Sequence, residues 1–204
     1  MKYLKMLGLA AIAAMAVTAF LGASSASASV LCTTTTTPCG TSWHIDELKA
    51  TTVAGTTTSL HSTSGSLEAT CKESSSTAVK KTTGSSTTTA TGTVATTALT
   101  WGGCNQVTKT LEGGELEVHQ IAGTHNGTVT AKGFKVTVVV AGVSCVFGAG
   151  TGVDLGTLTG GAPAKLDASA VVNKVEGGFL CPADSNWTAE YTVTNHTAAY
   201  VVAE

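Results

Sequence analysis

The chain has 204 residues, and its 11 basic and 13 acidic residues give a formal net charge of −2. None of the basic residues is an arginine, the usual bidentate ligand of phosphate groups and guanine bases. Because surfaces that bind nucleic acids are strongly basic, this composition argues against a nucleic acid as the partner.

Residues 1–28 have the pattern of a secretory signal peptide. Lys2 and Lys5 precede an uncharged run, and the small residues that follow the run end in Ala26-Ser27-Ala28. A charged start, an apolar run and an A-x-A site in this order are typical of a segment that is removed during export. The apolar run has roughly 15 residues, fewer than the ~20 that span a bilayer. We therefore expect cleavage after Ala28 and a secreted or cell-surface product, residues 29–204, without a membrane span.

Six cysteines lie in the predicted exported part, and an even number of cysteines in an exported chain indicates disulfides. Their order is Cys32, Cys39, Cys71, Cys104, Cys145 and Cys181. The six allow 15 pairings, and the spacing favours Cys32 with Cys39, Cys71 with Cys104, and Cys145 with Cys181. A metal site built on cysteines needs close pairs such as C-x-x-C, and the chain has none. We therefore predict neither a metal nor a cofactor.

The first part of the exported chain has the weakest pattern. Residues 29–65 are candidates for irregular structure, with one short helix over Trp43–Ala50. Of residues 51–100, 27 are Ser or Thr, a composition that is also typical of flexible stalks. The β-branched alternation around Thr91–Trp101 favours strands instead. We predict strands over Ser66–Lys72 and Thr91–Trp101, with a flexible tip at Lys80–Thr88.

Beyond residue 105, strand signals recur at short intervals. Polar and apolar residues alternate strictly over Glu115–Ile121, as in a strand with one wet face, and Asn126-Gly127 is a hairpin signal. The predicted strands in this part are Gln106–Leu111, Glu115–Ile121, Gly127–Ala131, Phe134–Val140, Val143–Phe147, Val153–Leu158, Lys165–Val172, Trp187–Val193 and His196–Val202. No window of 12 residues shows sustained helical periodicity. The sequence therefore predicts one all-β domain, a disulfide-stabilised antiparallel β-sandwich with jelly-roll or Greek-key topology.

The residues that could carry catalysis are few. His44 and Asp46 form a His-x-Asp pair that could serve as a base or bind a metal, and His119 and His125 flank a predicted turn. Both patterns are more typical of solvated strand edges and hairpins. No serine lies in the G-x-S-x-G pattern of hydrolases. We therefore predict no catalytic residue and no enzyme.

Three tryptophans are candidates for a ligand platform. Trp43, Trp101 and Trp187 could stack on a carbohydrate if they were exposed together, although burial as core anchors is the more typical use of tryptophan. Three N-x-T glycosylation sequons, at Asn126, Asn186 and Asn195, would matter only in a host that glycosylates exported proteins.

Several segments resemble those of uncharacterised exported Thr/Gly-rich proteins of soil actinobacteria. They are Ser66–Cys71, Trp101–Cys104, Ile121–Val129, Gly150–Gly160 and Gly178–Pro182. The resemblance covers most of residues 66–193. Because no activity is known for that group, the resemblance implies none for this chain. It does imply a bacterial cell-surface setting, in which the sequons matter less.

These observations favour a secreted, non-enzymatic protein with a structural or adhesive role at the cell surface. Its partners would be cell-surface polysaccharide or further copies of the chain, added at an open sheet edge. The alternative is a carbohydrate- or ligand-binding module that uses the tryptophans. A hydrolase built on His44 and Asp46 is the least favoured function.

Overall fold

The computed structural model describes residues 28–64, 68–81, 89–150 and 152–204. The predicted signal peptide and most of the predicted flexible tip therefore lie outside the described residues. The described chain forms sixteen β-strands and two short 3₁₀ helices, at Thr41–Trp43 and Thr96–Ala98, which confirms the all-β prediction. Within these residues, no helix has the length and apolar character needed to cross a membrane.

The strands succeed one another along the chain with short connections. In chain order they are β1 Ser29–Cys32, β2 Glu47–Thr52, β3 Thr58–Ser62, β4 Glu68–Cys71, β5 Glu73–Lys80, β6 Ala90–Val94, β7 Leu99–Gly102, β8 Val107–Glu112, β9 Gly114–Gln120, β10 Gly127–Lys132, β11 Lys135–Val140, β12 Val143–Gly148, β13 Val153–Thr159, β14 Lys165–Glu176, β15 Asp184–Val193 and β16 Tyr200–Ala203.

Eight of these strands close into an antiparallel barrel. Their order around the barrel is β15, β2, β5, β6, β9, β10, β13 and β14, and pairing between β14 and β15 closes the ring. The predicted sandwich is therefore corrected to a barrel with additional strands. The physical reason is the length of β14 and β15, which pair continuously from Lys165 with Thr192 to Asn173 with Asp184 and so join the two edges of one sheet.

The same two strands extend past one end of the barrel and carry the additional strands. The first half of β15 pairs with β3, which pairs with β4. The last residues of β14 pair with β12, which leads to β11 and β8. The outer edge of β4 bonds to the chain ahead of β8, because Asn105 N donates to Thr70 O (2.9 Å) and Thr70 N donates to Asn105 Oδ1 (2.8 Å). The extension therefore continues the barrel wall.

A two-stranded ladder of β1 and β16 packs at the opposite end of the barrel. It pairs Ser29 with Ala203 and Cys32 with Tyr200. Ser29 Oγ accepts a hydrogen bond from the backbone of Gln120 at the end of β9 (2.9 Å). Val201 is fully buried and belongs to the largest hydrophobic cluster. The ladder therefore covers this end of the barrel and is part of its core.

The predicted helix over Trp43–Ala50 does not form. A 3₁₀ turn ends at Trp43, and β2 begins at Glu47. Exposed and more buried residues alternate from Glu47 to Ala50, which is the period of a strand. Strand β2 pairs with β5 on one side and β15 on the other, so the backbone groups of this segment are satisfied by the barrel.

Three disulfides link Cys32 to Cys39, Cys71 to Cys104, and Cys145 to Cys181. These are the pairs that the spacing favours, and no described cysteine is free. The first disulfide joins β1 to the following loop, the second joins β4 to the loop before β8, and the third joins β12 to the loop after β14. Three disulfides in one domain are consistent with an oxidising environment.

Candidate ligand-binding site

The interior of the barrel and its extension contains a cavity of about 120 Å³. Because alternate residues of a strand point to opposite faces, neighbouring barrel strands contribute every second residue, such as Leu116 and Val118 from β9 and Val129 and Ala131 from β10. Tyr191 is the one side chain that titrates among the described lining residues, since Cys71 is in a disulfide. The cavity is therefore apolar, and we call it the lumen.

Trp187 places an unpartnered polar atom at the lumen. Its side chain lines the cavity, and its Nε1 is buried without a hydrogen-bond partner among the described residues. Its ring meets that of Trp101 edge-on, with the ring centroids 6.2 Å apart, whereas Trp101 Nε1 donates to Thr110 Oγ1 (3.0 Å). An unsatisfied buried donor costs about 1–3 kcal/mol. An acceptor on a bound molecule would satisfy the Trp187 N–H.

A buried polar cluster lies in the same wall. Tyr191 is 4% exposed, and its hydroxyl accepts a hydrogen bond from Ser74 Oγ (2.8 Å). Ser74 Oγ is also 2.8 Å from Thr58 Oγ1. Burial raises the pKa of Tyr191 above its ordinary value, and the hydrogen bonds with Ser74 and Thr58 only partly offset this. The phenol is therefore held in its neutral form, as a structural group.

We expect Tyr191→Phe to lower the free energy of unfolding by about 1 kcal/mol at pH 7, because one hydrogen bond is lost. The folded state has the higher pKa, so the stability contributed by the neutral phenol is present below about pH 10 and is lost as pH rises above it. The variant should therefore lose less stability than the parent between pH 9 and pH 11, as measured by urea unfolding. Tyr200→Phe is the matched control, since Tyr200 is only partly buried. Equal alkaline losses in the parent and in Tyr191→Phe would contradict the prediction.

A second cavity, of about 250 Å³, lies between β1 and the barrel strands β2, β5, β6 and β9, and we call it the end pocket. It is lined by apolar residues of these strands and by polar side chains, which are Ser29, His44, Asp46, Lys80, Lys81, Thr89 and Thr91. Thr89 is 8% exposed, and its Oγ1 has no hydrogen-bond partner among the described residues. The end pocket is therefore more polar than the lumen and also contains an unsatisfied hydroxyl.

The charges at the end pocket are paired. Lys80 Nζ lies 3.6 Å from Asp46 Oδ1, and Lys81 binds Glu115 on β9. The hydrogen bond from Lys81 is the main cause that lowers the pKa of Glu115, and Lys132 adds to it. These lysines and carboxylates balance one another, so the described lining of the pocket offers no unpaired charge to a ligand.

His44 does not form a catalytic pair with Asp46. His44 Nε2 lies 2.8 Å from Glu204 Oε1 and 3.1 Å from the carbonyl oxygen of Cys39, whereas Asp46 is largely exposed beside Lys80. The ring of His44 is also close to Cys32 and Cys39. Both sulfurs are joined in a disulfide, and metal binding by cysteine requires the free thiolate.

Two of the three tryptophans named as a platform are brought together. Trp101 and Trp187 both line the lumen, where their rings contact each other, so they face the interior. The side chain of Trp43 lies outside the described residues. Sequence reasoning did not name Thr89 or Tyr191. For Tyr191 the available signal is the alternation of residues along β15, which identifies a strand with one buried face.

His119 and His125 lie at the β9–β10 hairpin. His119 pairs in register with Thr128, and the ring of His125 meets that of Tyr200 edge-on, with the centroids 6.0 Å apart. Both residues are therefore part of a hairpin that packs on β16.

Comparison with protein-family models, with curated proteins and with solved structures found no match. The resemblance to exported actinobacterial proteins stays a prediction, and the lumen and the end pocket are the features from which a function can be inferred.

Proposed function

We propose that the protein is an extracellular binding protein that holds a small, mainly apolar molecule in the lumen of its barrel. The observation that carries the proposal is the apolar cavity inside a closed eight-stranded barrel. Barrels of eight strands are just wide enough either to be filled by side chains or to hold one small ligand. An apolar cavity of about 150 Å³ binds benzene, so the lumen, with about 120 Å³, can take up one aromatic ring or a short hydrocarbon segment of a ligand.

The cavity lowers the stability of the fold. At about 24 cal/mol per Å³, a void of 120 Å³ lowers stability by roughly 3 kcal/mol relative to a filled interior. Small residues in the wall leave this space, among them Ala50, Ala69 and Ala131. Larger aliphatic residues at these positions would fill it. A fold that departs from close packing at one place is typical of a binding site.

The proposed extracellular setting rests on two supports. The three disulfides fit an oxidising compartment, and the sequence of residues 1–28 predicts export. We propose binding rather than catalysis because the described lining of the lumen contains no acid or base besides the neutral phenol of Tyr191.

A structural or adhesive role at the cell surface is the second candidate. It is favoured by the loop between β14 and β15, where Phe179 is 95% exposed and Leu180 is 59% exposed. Large exposed apolar side chains mark contact sites. It is disfavoured by the hydrogen bonds between Asn105 and Thr70, which occupy part of the sheet edge to which another strand could add.

The test is the binding of an apolar fluorescent probe, 1-aminoanthracene, to residues 29–204. We expect saturable binding, and we expect Ala131→Leu to weaken it by at least tenfold, because this residue is 1% exposed in the lumen wall and gains three carbon atoms. The matched control is Ala122→Leu, at an exposed position in the β9–β10 turn, which should bind as the parent does.

Because overpacking can cost 1–3 kcal/mol, thermal unfolding must show that Ala131→Leu is folded at the temperature of the titration. If Ala131→Leu is not folded, Val129→Ile, which adds one methylene to the same wall, is used in its place. Equal affinity of the parent and the folded lumen variants would contradict the proposal. A protein that binds no probe but self-associates through Phe179 would support the second candidate.

A further inference from the structure

The lumen and the end pocket adjoin each other. Four residues line both cavities, namely Leu48, Ala78, Leu116 and Val118. Leu48 on β2 stands directly opposite Ala78 on β5 in the antiparallel register. All four are apolar, and Leu48 and Leu116 are only half-buried. The boundary between the cavities is therefore built from side chains that a hydrocarbon chain can pack against.

The two cavities together have the volume of one ligand-binding site. Binding sites for small molecules start at about 300 Å³. The lumen has about 120 Å³ and the end pocket about 250 Å³, so each falls short of this size and the two together exceed it. An elongated molecule that crosses the shared residues would fill both.

The polarity of the two cavities determines the orientation of such a molecule in the site. The described lining of the lumen carries no charged side chain, whereas the end pocket carries Lys80, Lys81 and Asp46. Thr89 also lines the end pocket; it is more than nine-tenths buried, and its hydroxyl has no hydrogen-bond partner among the described residues. A threonine hydroxyl can donate one hydrogen bond and accept two. The polar end of a ligand therefore belongs in the end pocket and its hydrocarbon part in the lumen.

The charges at the pocket already balance one another. Lys80 is paired with Asp46 and Lys81 with Glu115, so a carboxylate or an ammonium group would find no unpaired counter-charge among the described residues. A charge that stays unpaired in a partly buried site is strongly disfavoured. A hydroxyl or carbonyl group needs only the hydrogen bond that Thr89 offers.

We infer that the ligand is an uncharged, elongated amphiphile that spans both cavities. Its hydrocarbon part lies in the lumen, and its single hydroxyl or carbonyl group is hydrogen-bonded to Thr89. This inference rests on the proposed binding function and adds the chemical class and the orientation of the ligand.

The experiment compares three molecules with the same ten-carbon chain, 1-decanol, decane and decanoate, as competitors of 1-aminoanthracene at pH 8. We expect 1-decanol to bind most tightly. Thr89→Val, which removes the hydroxyl but keeps the shape, should weaken 1-decanol binding by about fivefold and leave decane unchanged. Thr93→Val, at an exposed position of β6, is the matched control and should change neither.

The outcomes separate the two proposals. Equal binding of all three molecules, with no effect of Thr89→Val, would overturn the inference and leave the lumen function standing. Tighter binding of decanoate than of 1-decanol would also overturn it. A preference for 1-decanol that is lost in Trp187→Phe rather than in Thr89→Val would overturn the orientation, because the polar group would then lie at the other end. If no competitor displaces the probe and Ala131→Leu has no effect, the proposed function itself fails.

Discussion

Replacing Cys145 and Cys181 together by alanine is expected to lower the free energy of unfolding by about 4 kcal/mol. The two residues are 36 apart in sequence, and a cross-link over a loop of this length removes that amount of chain entropy from the unfolded state. Both sulfurs are buried, and Cys145 packs in a hydrophobic cluster with Val138 and Phe147. The link also holds β12 to the loop that follows β14, at the outer end of the extension.

The other two disulfides provide the comparison. The disulfide between Cys71 and Cys104, with a separation of 33, should raise the free energy of unfolding nearly as much as the one between Cys145 and Cys181. The pair Cys32 and Cys39, with a separation of 7, should be worth about 2 kcal/mol. Urea unfolding of the three double-alanine variants measures this order. A loss at Cys32 and Cys39 as large as the loss at Cys145 and Cys181 would contradict the chain-entropy explanation.

We expect Gly156→Ala to cost about 3 kcal/mol or more. Gly156 lies in β13 next to a register shift, where Val129 pairs with Gly156 and Thr130 with Asp154, so that Leu155 is an extra residue. The φ of Gly156 is +132°, and a Cβ atom at this position would lie 2.0 Å from the carbonyl oxygen of Asp167 on β14. Backbone strain and overpacking each cost about 1–3 kcal/mol.

Gly152→Ala is the matched control for this prediction. Gly152 also has a positive φ, +144°, but no atom of the described residues lies within 4 Å of its Cβ position. The two variants therefore share the backbone strain and differ in the contact with β14. Unfolding in urea should show a clearly larger loss for Gly156→Ala. Similar losses would mean that β13 and β14 can move apart without weakening the barrel.

The strands of the second half of the chain could be predicted closely, because their pattern is local. Strict alternation predicts a strand over Glu115–Ile121, and β9 runs over Gly114–Gln120. The segment that forms β2 is predicted as a helix because Glu, Leu, Lys and Ala are good helix formers. Its strand conformation comes from pairing with β5 and β15, which come later in the chain and which local propensity does not include.

Closure of the barrel could not be predicted from alternation. A strand with one buried face has the same pattern in a sandwich and in a barrel. The difference lies in which strands pair. In this fold the pairing depends on β14, which is predicted to end at Val172 and continues to Glu176. The additional residues pair with β12, and they allow one strand to serve both the barrel and its extension.

Only part of the candidate site could be predicted from the sequence. Trp101 and Trp187 are candidates for a shared platform, with burial as core anchors the more typical use, and their rings meet inside the wall of the lumen. Thr89 is one of many threonines in a Thr-rich stretch, and nothing local distinguishes it from Thr93. Its burial depends on the register of β6 against β9 and on the position of β1 across the end of the barrel.

The ladder of β1 and β16 has a consequence for the order of events during synthesis. The first described strand pairs with the last, since Ser29 stands opposite Ala203, so β1 waits unpaired while the intervening strands emerge. Pairings between such distant segments form slowly, because a long loop must close first. The end pocket, which β1 borders, is complete only after this step. Ligand binding would then report that β16 has been synthesised and has paired with β1.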